Sequence, residues 1–336
     1  MNTLENTSEL HRAEAPTTKT MAQAESCPVC SGGQVAEFLA APDRYHWRKQ
    51  IYRLTRCSSC ECVWLSGPPQ PAEMGLHYTE DYHRAIVAAG EGCAAERWKD
   101  QVKLISDFKR AGAILDIGCS SGGFLSTMPK GAWQLYGIEM EESTAVRARA
   151  NAGAEVFVGD AMDAPFPSGS FDVITCFDVL EHVYSPREFL TKVLSWLKPG
   201  GIFYSMMPNI ASWEAQVFGT HWYGLELPRH LFHFSPNSLR HLMAEIGFTE
   251  AVVKTPGISY VERSTGYVCS SLIEKMGIAP RPQAKPKPAS LPWKVVRKGI
   301  RLSVIRPLAH IAASAGAGPC LEVVFQKPQP SPVRSV

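Results

Sequence analysis

The sequence predicts an α/β fold, in which a doubly wound, mostly parallel seven-stranded sheet follows a small cysteine-rich ribbon. From about residue 100 onward, apolar runs of strand length alternate with segments of helix length, which is the pattern of a parallel sheet between layers of helices. A glycine-rich turn follows the first of these runs. Two Cys-x-x-Cys pairs lie ahead of the sheet and indicate the ribbon.

The predicted strands are short segments rich in apolar residues, which are typical of strands whose two faces are both covered by helices. They are Ala113–Ile117, Gln134–Glu139, Glu155–Val158, Phe171–Phe177, Gly201–Met207, Thr249–Lys254 and Leu321–Gln326. After the glycine-rich turn, Leu125–Met128 is predicted to start a helix.

Composition places the chain among folded globular proteins. Apolar residues make up 45% and charged residues 20% of the 336 residues, close to the globular average. The 34 Lys and Arg residues against 32 Asp and Glu leave a net charge of +2, which argues against a nucleic-acid-wrapping surface. No apolar stretch has the length of a membrane span, and residues 1–26 lack the apolar core of a secretory signal. We therefore expect a cytoplasmic protein.

Four of the ten cysteines have the spacing of metal ligands. Cys27 and Cys30 form one Cys-x-x-Cys pair, and Cys57 and Cys60 form the other. Four thiolates complete the tetrahedral sulfur set that zinc prefers and leave no position for a reactive water, so we predict a structural zinc ion. Unliganded thiols and a redox-active pair are the alternatives.

These features divide the chain into segments. We predict a flexible tail at 1–26, a zinc-ribbon module at 27–66, a connector and helix at 67–99, an α/β domain at 100–326 and a second tail at 327–336. A basic insertion at about 257–318 separates the last two strands.

The turn after the first strand and the ends of the next strands carry the ligand-binding signals. Glycines at 118, 122 and 123 would let a ligand lie against bare backbone, but Ser120 stands where the dinucleotide signature G-x-G-x-x-G has its middle glycine. Glu139 ends the second strand, where a carboxylate can accept both hydroxyls of a ribose. Asp160 and Ala161 follow the third strand.

Taken in order, these motifs resemble class I S-adenosylmethionine-dependent methyltransferases over about residues 100–326. The resemblance implies that S-adenosylmethionine lies on the glycine-rich loop, with Glu139 at its ribose, Asp160 and Ala161 at its adenine and Phe177 beside its methionine part. Ser120 departs from the commonest form of the loop, which has glycine there. The full predicted cofactor-binding set is Asp116, Gly118, Cys119, Ser120, Gly122, Glu139, Met140, Asp160, Ala161 and Phe177.

The N-terminal part is similar to a narrower bacterial subgroup of these enzymes. Its members carry a double Cys-x-x-Cys module and then an aromatic stretch like His77–Tyr82. The segments Pro208–Ser212 and Trp222–Ser235 are also similar to the subgroup. Many members methylate small molecules, sugars or surface polysaccharides, so the resemblance implies an acceptor of this kind.

Several histidines could take a proton from the acceptor. His182 and His230 are the predicted catalytic residues, and His221 and His233 are further candidates. For each, the alternative is a hydrogen-bonded histidine in a half-buried wall. Some related enzymes hold a divalent ion with an ExxEH motif, which reads Asp178-Val-Leu-Glu181-His182 here.

Aromatic residues after the fifth strand could stack on a ring-shaped acceptor. They are Trp213, Trp222, Tyr223, Phe232 and Phe234, and core packing is the alternative.

The basic insertion suggests a partner. Between residues 270 and 310, nine Lys and Arg residues stand against one acid, so this stretch carries +8 and the rest of the chain −6. We predict that 291–312 makes peripheral contact with an anionic membrane. A basic helix packed over the active site and a dimer contact are the alternatives, and the sequence indicates no oligomeric state.

The resulting functional prediction is methyl transfer from S-adenosylmethionine to a small molecule, namely a sugar or a glycan- or lipid-linked precursor. An RNA methyltransferase with a zinc-ribbon module is the alternative, although the −6 charge outside the insertion disfavours phosphate contacts. A non-catalytic zinc-ribbon binding protein is the alternative of another class.

Overall fold

The computed structural model describes residues 26–79, 94–277, 299 and 301–330. The predicted tails lie outside the described residues apart from 26 and 327–330. Residues 291–298 and 300 of the predicted membrane segment also lie outside them, as do residues 80–82 of the aromatic stretch.

The strands of the described residues form two sheets. The strands are β1 (Val35–Pro42), β2 (Ile51–Cys57), β3 (Val63–Ser66), β4 (Gly112–Ile117), β5 (Trp133–Glu139), β6 (Glu155–Val158), β7 (Phe171–Phe177), β8 (Leu197–Pro208), β9 (Phe232–His233), β10 (Thr249–Lys254) and β11 (Cys320–Gln326).

The larger sheet has the order β10-β11-β8-β7-β4-β5-β6, and its neighbours are parallel except where β11 is a partner. The chain enters at the centre with β4, winds outward to β6, and returns through β7 to build the other half. This is a doubly wound arrangement, so the predicted fold class is confirmed. β8 begins four residues before the predicted strand because Leu197 already pairs with Phe171.

Both faces of this sheet are buried. Along β4, Ile114 belongs to one hydrophobic cluster and Leu115 to the other, and Val173 and Ile174 of β7 alternate in the same way. Helices supply further members of both clusters. The α-helices are α1 (Pro71–Met74), α2 (Ala94–Arg97), α3 (Lys99–Phe108), α4 (Glu142–Ala152), α5 (Pro186–Trp196), α6 (Trp213–Phe218), α7 (Pro236–Ile246), α8 (Val261–Lys275) and α9 (Arg306–Ser314).

The segment after the glycine-rich turn differs from the prediction. Leu125–Thr127 forms one turn of 3-10 helix and no longer helix follows before β5. Pro129 and Gly131 explain the early end, because proline disfavours helical backbone in the residue before it and Gly131 has a left-handed φ of +76°.

The smaller sheet joins the cysteine-rich segment to the α/β domain. Its antiparallel order is β1-β2-β3-β9, and β9 comes from the chain between α6 and α7. Trp64 of β3 pairs with Phe232 of β9, and both lie in one buried cluster with Leu54 and Cys57. The two parts therefore share a sheet and a core.

The insertion occupies the connection between β10 and β11. It contains α8, a π-helical turn at Arg301–Ile305, and α9. Within the described residues, no helix combines the length and apolar character needed to span a membrane.

Candidate active site

A cavity of about 1850 Å³ opens at the carboxyl ends of β4, β5 and β7. This edge is where open α/β sheets bind ligands. Pockets for one small molecule commonly measure about 300–1000 Å³, so the cavity has room for a cofactor and an acceptor together.

The backbone of the glycine-rich loop curls over the end of β4. Gly118 has a φ of +74°, and a Cβ there would lie 2.5 Å from Val179 Cγ2, so both conformation and space require glycine. Ser120 takes a left-handed φ of +48°, which is the conformation that the commoner glycine adopts without strain. The loop thus keeps its shape despite the serine.

Glu139 braces this loop from the end of β5. Its Oε2 accepts a hydrogen bond from the Ser120 N–H at 3.0 Å and its Oε1 accepts one from the Glu141 N–H at 3.1 Å. A carboxylate oxygen accepts more than one hydrogen bond, so both oxygens keep a lone pair for ribose hydroxyls. At the end of β6, Asp160 is exposed and accepts from the Met162 N–H at 2.7 Å.

Asp116 is the buried acid under the loop. Burial raises its pKa to about 7, although the Thr175 hydroxyl, which donates to Oδ1 at 2.7 Å, acts in the opposite direction. The neutral and ionised forms therefore lie close in free energy near neutral pH.

An aromatic cluster closes one side of the cavity. The Phe177 ring stacks on Trp98 with centroids 5.3 Å apart and meets Phe124 edge-on at 5.1 Å. Trp98, between α2 and α3, and Arg97 also line the cavity, and sequence reasoning missed both. Their proximity to β7 depends on how the helical connector folds back, which no local pattern encodes.

The structure brings most of the predicted site residues to this one cavity. Gly122 is the exception: it packs against α4, where a Cβ would lie 3.0 Å from the backbone of Ala148. The predicted residues that line the cavity are Asp116, Gly118, Cys119, Ser120, Glu139, Met140, Asp160, Ala161, Phe177, His182 and His230. Their roles stay predictions.

His182 and His230 face each other, with ring centroids 4.7 Å apart. His182 Nδ1 lies 2.9 Å from the Arg229 carbonyl oxygen, and His230 Nδ1 lies 2.9 Å from that of Gly224. A carbonyl oxygen only accepts, so the contact places the proton of His230 on Nδ1 and leaves a lone pair on its Nε2. The same tautomer fits His182, whose Nδ1–H then faces both the Arg229 carbonyl and the Tyr78 hydroxyl oxygen at 3.0 Å. Burial lowers the pKa of His182 to about 3 and lowers that of His230 well below its usual value. Both imidazoles are therefore neutral at physiological pH.

Glu181 completes a cluster with these histidines. Both of its oxygens are buried without a hydrogen-bond partner among the described residues. Burial, with Asp178 nearby, raises the Glu181 pKa well above its usual value, and burial raises that of Asp178 to about 6. One ligand atom each from Glu181, His182 and His230 lies within 4.8 Å of the others, so this donor set fits a divalent cation.

The other two histidine candidates lie elsewhere. His221 Nε2 is 3.1 Å from Ser271 Oγ, and His233 Nε2 donates to the Leu225 carbonyl at 3.1 Å. Neither lines the cavity.

The predicted aromatic cover is largely core. Trp222, Phe232 and Phe234 are buried, and of the five residues only Tyr223 lines the cavity. The aromatic wall at this end comes from other segments as well. Its members are Tyr45, Trp47, Tyr223, Tyr260 and Tyr267.

The four cysteines form a compact cluster away from this cavity. The Sγ atoms of Cys27 and Cys60 are 3.6 Å apart, as are those of Cys30 and Cys57. A tetrahedron with Zn–S bonds of about 2.3 Å has edges of about 3.8 Å, so the spacing fits zinc. Burial raises the pKa of Cys27 to about 11, so a thiolate there needs a cation to offset its charge.

Several known proteins are similar to this chain. Residues 92–253 match a family described as a methyltransferase domain. The ubiquinone biosynthesis O-methyltransferase of Burkholderia thailandensis is 28% identical over 160 residues, covering 44% of this chain and 68% of that enzyme. The enzyme of the same name from Stutzerimonas stutzeri is 29% identical over 174 residues, covering 48% and 74%. A crystal structure of a SAM-dependent methyltransferase from Archaeoglobus fulgidus shares 18% identity with a TM-score of 0.49, covering 73% of this chain and 100% of that one.

The strand order is that of a Rossmann-like methyltransferase fold, and residues 92–253 are similar in sequence to the methyltransferase-domain family. The cysteine cluster lies outside the matched residues, so the zinc ion stays a prediction that its donor set supports.

Proposed function

We propose that the protein transfers the methyl group of S-adenosylmethionine to a sugar or to a glycan- or lipid-linked precursor. The observation that carries this proposal is the far end of the cavity, where aromatic rings stand beside the polar groups of Glu226, Arg263 and Ser270. Aromatic faces stack on the apolar faces of sugar rings, while carboxylate, guanidinium and hydroxyl groups bond to ring hydroxyls.

The residues of the chain then divide the work of methyl transfer. When bound, S-adenosylmethionine supplies an electrophilic methyl group on a sulfonium sulfur. Glu139 and Asp160 hold the nucleoside part on the loop, and the cluster of Trp98, Phe124 and Phe177 excludes water. Alignment of the acceptor in line with the methyl group supplies several kcal/mol of the rate enhancement.

A hydroxyl acceptor must lose a proton, and the cluster at the carboxyl end of β7 is placed to take it. The Nε2 lone pairs of His182 and His230 are the available bases. A divalent cation held by Glu181, His182 and His230 would instead lower the pKa of the hydroxyl.

An RNA acceptor is not favoured by any contact at the cavity. Of its charged lining residues, Arg97, Arg147 and Arg263 are outnumbered by acids, whereas RNA binding depends on phosphate contacts from Lys and Arg.

Labelled methyl transfer tests the proposal. We expect the full chain, incubated with S-adenosylmethionine carrying a labelled methyl group and a fractionated bacterial extract, to label the sugar-nucleotide or glycolipid fraction. Replacement of His182 by Asn should reduce the rate about 100-fold or more, because general bases contribute about 10²–10⁴, and should leave affinity for S-adenosylhomocysteine unchanged. His221→Asn is the control, and label in RNA would contradict the proposal.

We also propose that the insertion rests on an anionic membrane, which would bring the site to a lipid-linked acceptor. Val304, Leu308 and Ile311 follow at helical spacing and are 50%, 50% and 65% exposed. Residues 270–310 carry +8. Apolar side chains on a basic segment are typical of surface-bound helices.

Vesicle sedimentation tests this contact. We expect the full chain to pellet with vesicles of equal parts phosphatidylglycerol and phosphatidylcholine and not with phosphatidylcholine alone. The double change of Leu308 and Ile311 to Glu should weaken binding about tenfold or more, because each buried side chain contributes about 1.5 kcal/mol or more. Val217→Glu, at an exposed apolar position on α6, is the matched control. Equal pelleting of all three proteins would contradict the contact.

A further inference from the structure

The hairpin of β1 and β2 joins the cysteine cluster to the cavity. Cys27 and Cys30 precede β1, while Cys57 is the last residue of β2 and Cys60 follows it, so all four cysteines lie at one end of the hairpin. The turn at the opposite end, residues 43–50, carries Tyr45 and Trp47, which line the cavity. The seven residues of β2 span roughly 23 Å at about 3.3 Å per residue. The length of the hairpin therefore separates the turn, which lies at the acceptor end of the cavity, from the cysteine cluster.

Internal bonds hold this turn in shape. The buried Asp43 carboxylate accepts from the His46 N–H at 3.0 Å and lies 2.9 Å from His46 Nδ1. Trp47 has a left-handed φ of +54°, which re-aims the chain at this residue. The indole position thus follows from the fold of the turn.

The turn is also fixed to the methyltransferase domain. Arg44 Nε donates to the Thr220 carbonyl at 2.8 Å, and Arg44 Nη1 donates to Ser271 Oγ of α8 at 2.7 Å. The guanidinium of Arg229 lies over the Tyr45 ring, 4.6 Å from its centroid. Contacts from two different segments of the domain therefore hold the turn against the cavity.

Trp47 meets a helix face that also belongs to the cavity. Tyr260 precedes α8, and Arg263, Tyr267 and Ser270 follow at helical spacing, so one face of the helix lines the acceptor end. The Trp47 and Tyr267 rings are 6.1 Å apart at 86°. In an edge-to-face pair each ring keeps at least one face that its partner does not cover.

We propose that Trp47 is the specificity-determining residue for the acceptor: its indole, backed by Tyr267, stacks on a sugar ring and limits how long an acceptor can be. This inference rests on the proposed function. The aromatic wall of the cavity indicates the class of acceptor. A flat apolar surface with hydroxyl and charged groups at its edge matches a sugar ring, which has apolar faces and a polar rim. The cysteine cluster and hairpin then serve as the support that places the indole.

The transfer assay with bacterial extract tests this inference on the full chain. With Trp47→Ala, transfer at limiting extract should fall about tenfold or more through loss of stacking, and labelled products should shift toward longer acceptors on size chromatography. Trp47→Phe should recover most of the rate because it restores an aromatic face. Affinity for S-adenosylhomocysteine and the melting temperature should be unchanged in both variants.

Phe38→Ala is the matched control, since Phe38 is a half-exposed ring on β1 outside the cavity lining. If Trp47→Ala keeps the product sizes and rates of the unaltered protein, the inference is wrong while the proposed function stands. If S-adenosylhomocysteine binds but no extract fraction takes label, the proposed function is wrong and this inference falls with it.

Discussion

Replacement of Glu139 by Ala is expected to weaken binding of S-adenosylhomocysteine by about 100-fold or more. Each hydrogen bond to a charged group contributes about 1.5–3 kcal/mol, and the Glu139 carboxylate has lone pairs for two ribose hydroxyls. Two such bonds exceed about 2.7 kcal/mol, which corresponds to about 100-fold in affinity. The same carboxylate orders the loop through the Ser120 and Glu141 N–H groups. Calorimetric titration measures the affinity.

Two variants separate binding from folding in this experiment. Glu142→Ala removes the neighbouring carboxylate, which bonds to Arg149 and does not line the cavity, so its affinity should be unchanged. Glu139→Gln retains an acceptor oxygen and should fall between the unaltered protein and Glu139→Ala. An unchanged affinity in Glu139→Ala would refute the cofactor site assigned to the loop.

Replacement of Cys60 by Ala is expected to remove the zinc ion and to lower the melting temperature by more than about 10 °C. A structural zinc contributes folding free energy directly, by several kcal/mol, and about 1 kcal/mol shifts the melting temperature of a domain this large by about 2–4 °C. Elemental analysis of the unaltered protein should find about one zinc per chain. The shared β3–β9 pairing means that loss of the ion should also loosen β9.

Cys62→Ala is the matched control for this change. Cys62 is as buried as Cys60 and lies two residues away, but it is outside the cluster of four ligand atoms. It should keep its zinc and most of its stability. Equal zinc content in both variants would show that these four cysteines do not form the metal site.

The part of the fold predicted from sequence is the part encoded locally. β6, β7 and β10 begin and end at the predicted residues, because β-branched and aromatic residues are concentrated in each of these short segments. The cofactor-binding part of the site could be predicted for the same reason. The glycine-rich loop, Glu139 and Asp160 each lie at or just after the end of a strand that the local sequence predicts. Neighbouring parallel strands then bring these segments to one edge of the sheet.

The acceptor end could not be predicted in this way because it is assembled from distant segments. Trp47, Tyr223 and Tyr267 lie in three parts of the chain, and nothing near Trp47 indicates that its hairpin reaches the cavity. Trp222 and Phe232 are aromatic residues of the same segment as Tyr223, yet they are buried in the core. Only the tertiary structure distinguishes them.

The electrostatics of the histidine cluster were also invisible to sequence reasoning. A histidine has an ordinary pKa near neutrality, and the motif around His182 carries no sign of its burial. The low pKa follows from burial, and the His230 ring, which is almost fifty residues away in sequence, lowers it further.

The β3–β9 pairing has a consequence for attempts to produce the two parts of the chain separately. A protein that starts after residue 66 would leave the unpaired edge of β9 and the apolar side chains of Leu231 and Phe232 in water. An exposed strand edge pairs with other chains, so the shortened protein should aggregate. For the same reason, an N-terminal segment taken from a homologue should fold onto this chain only if β9 of that homologue is transferred with it.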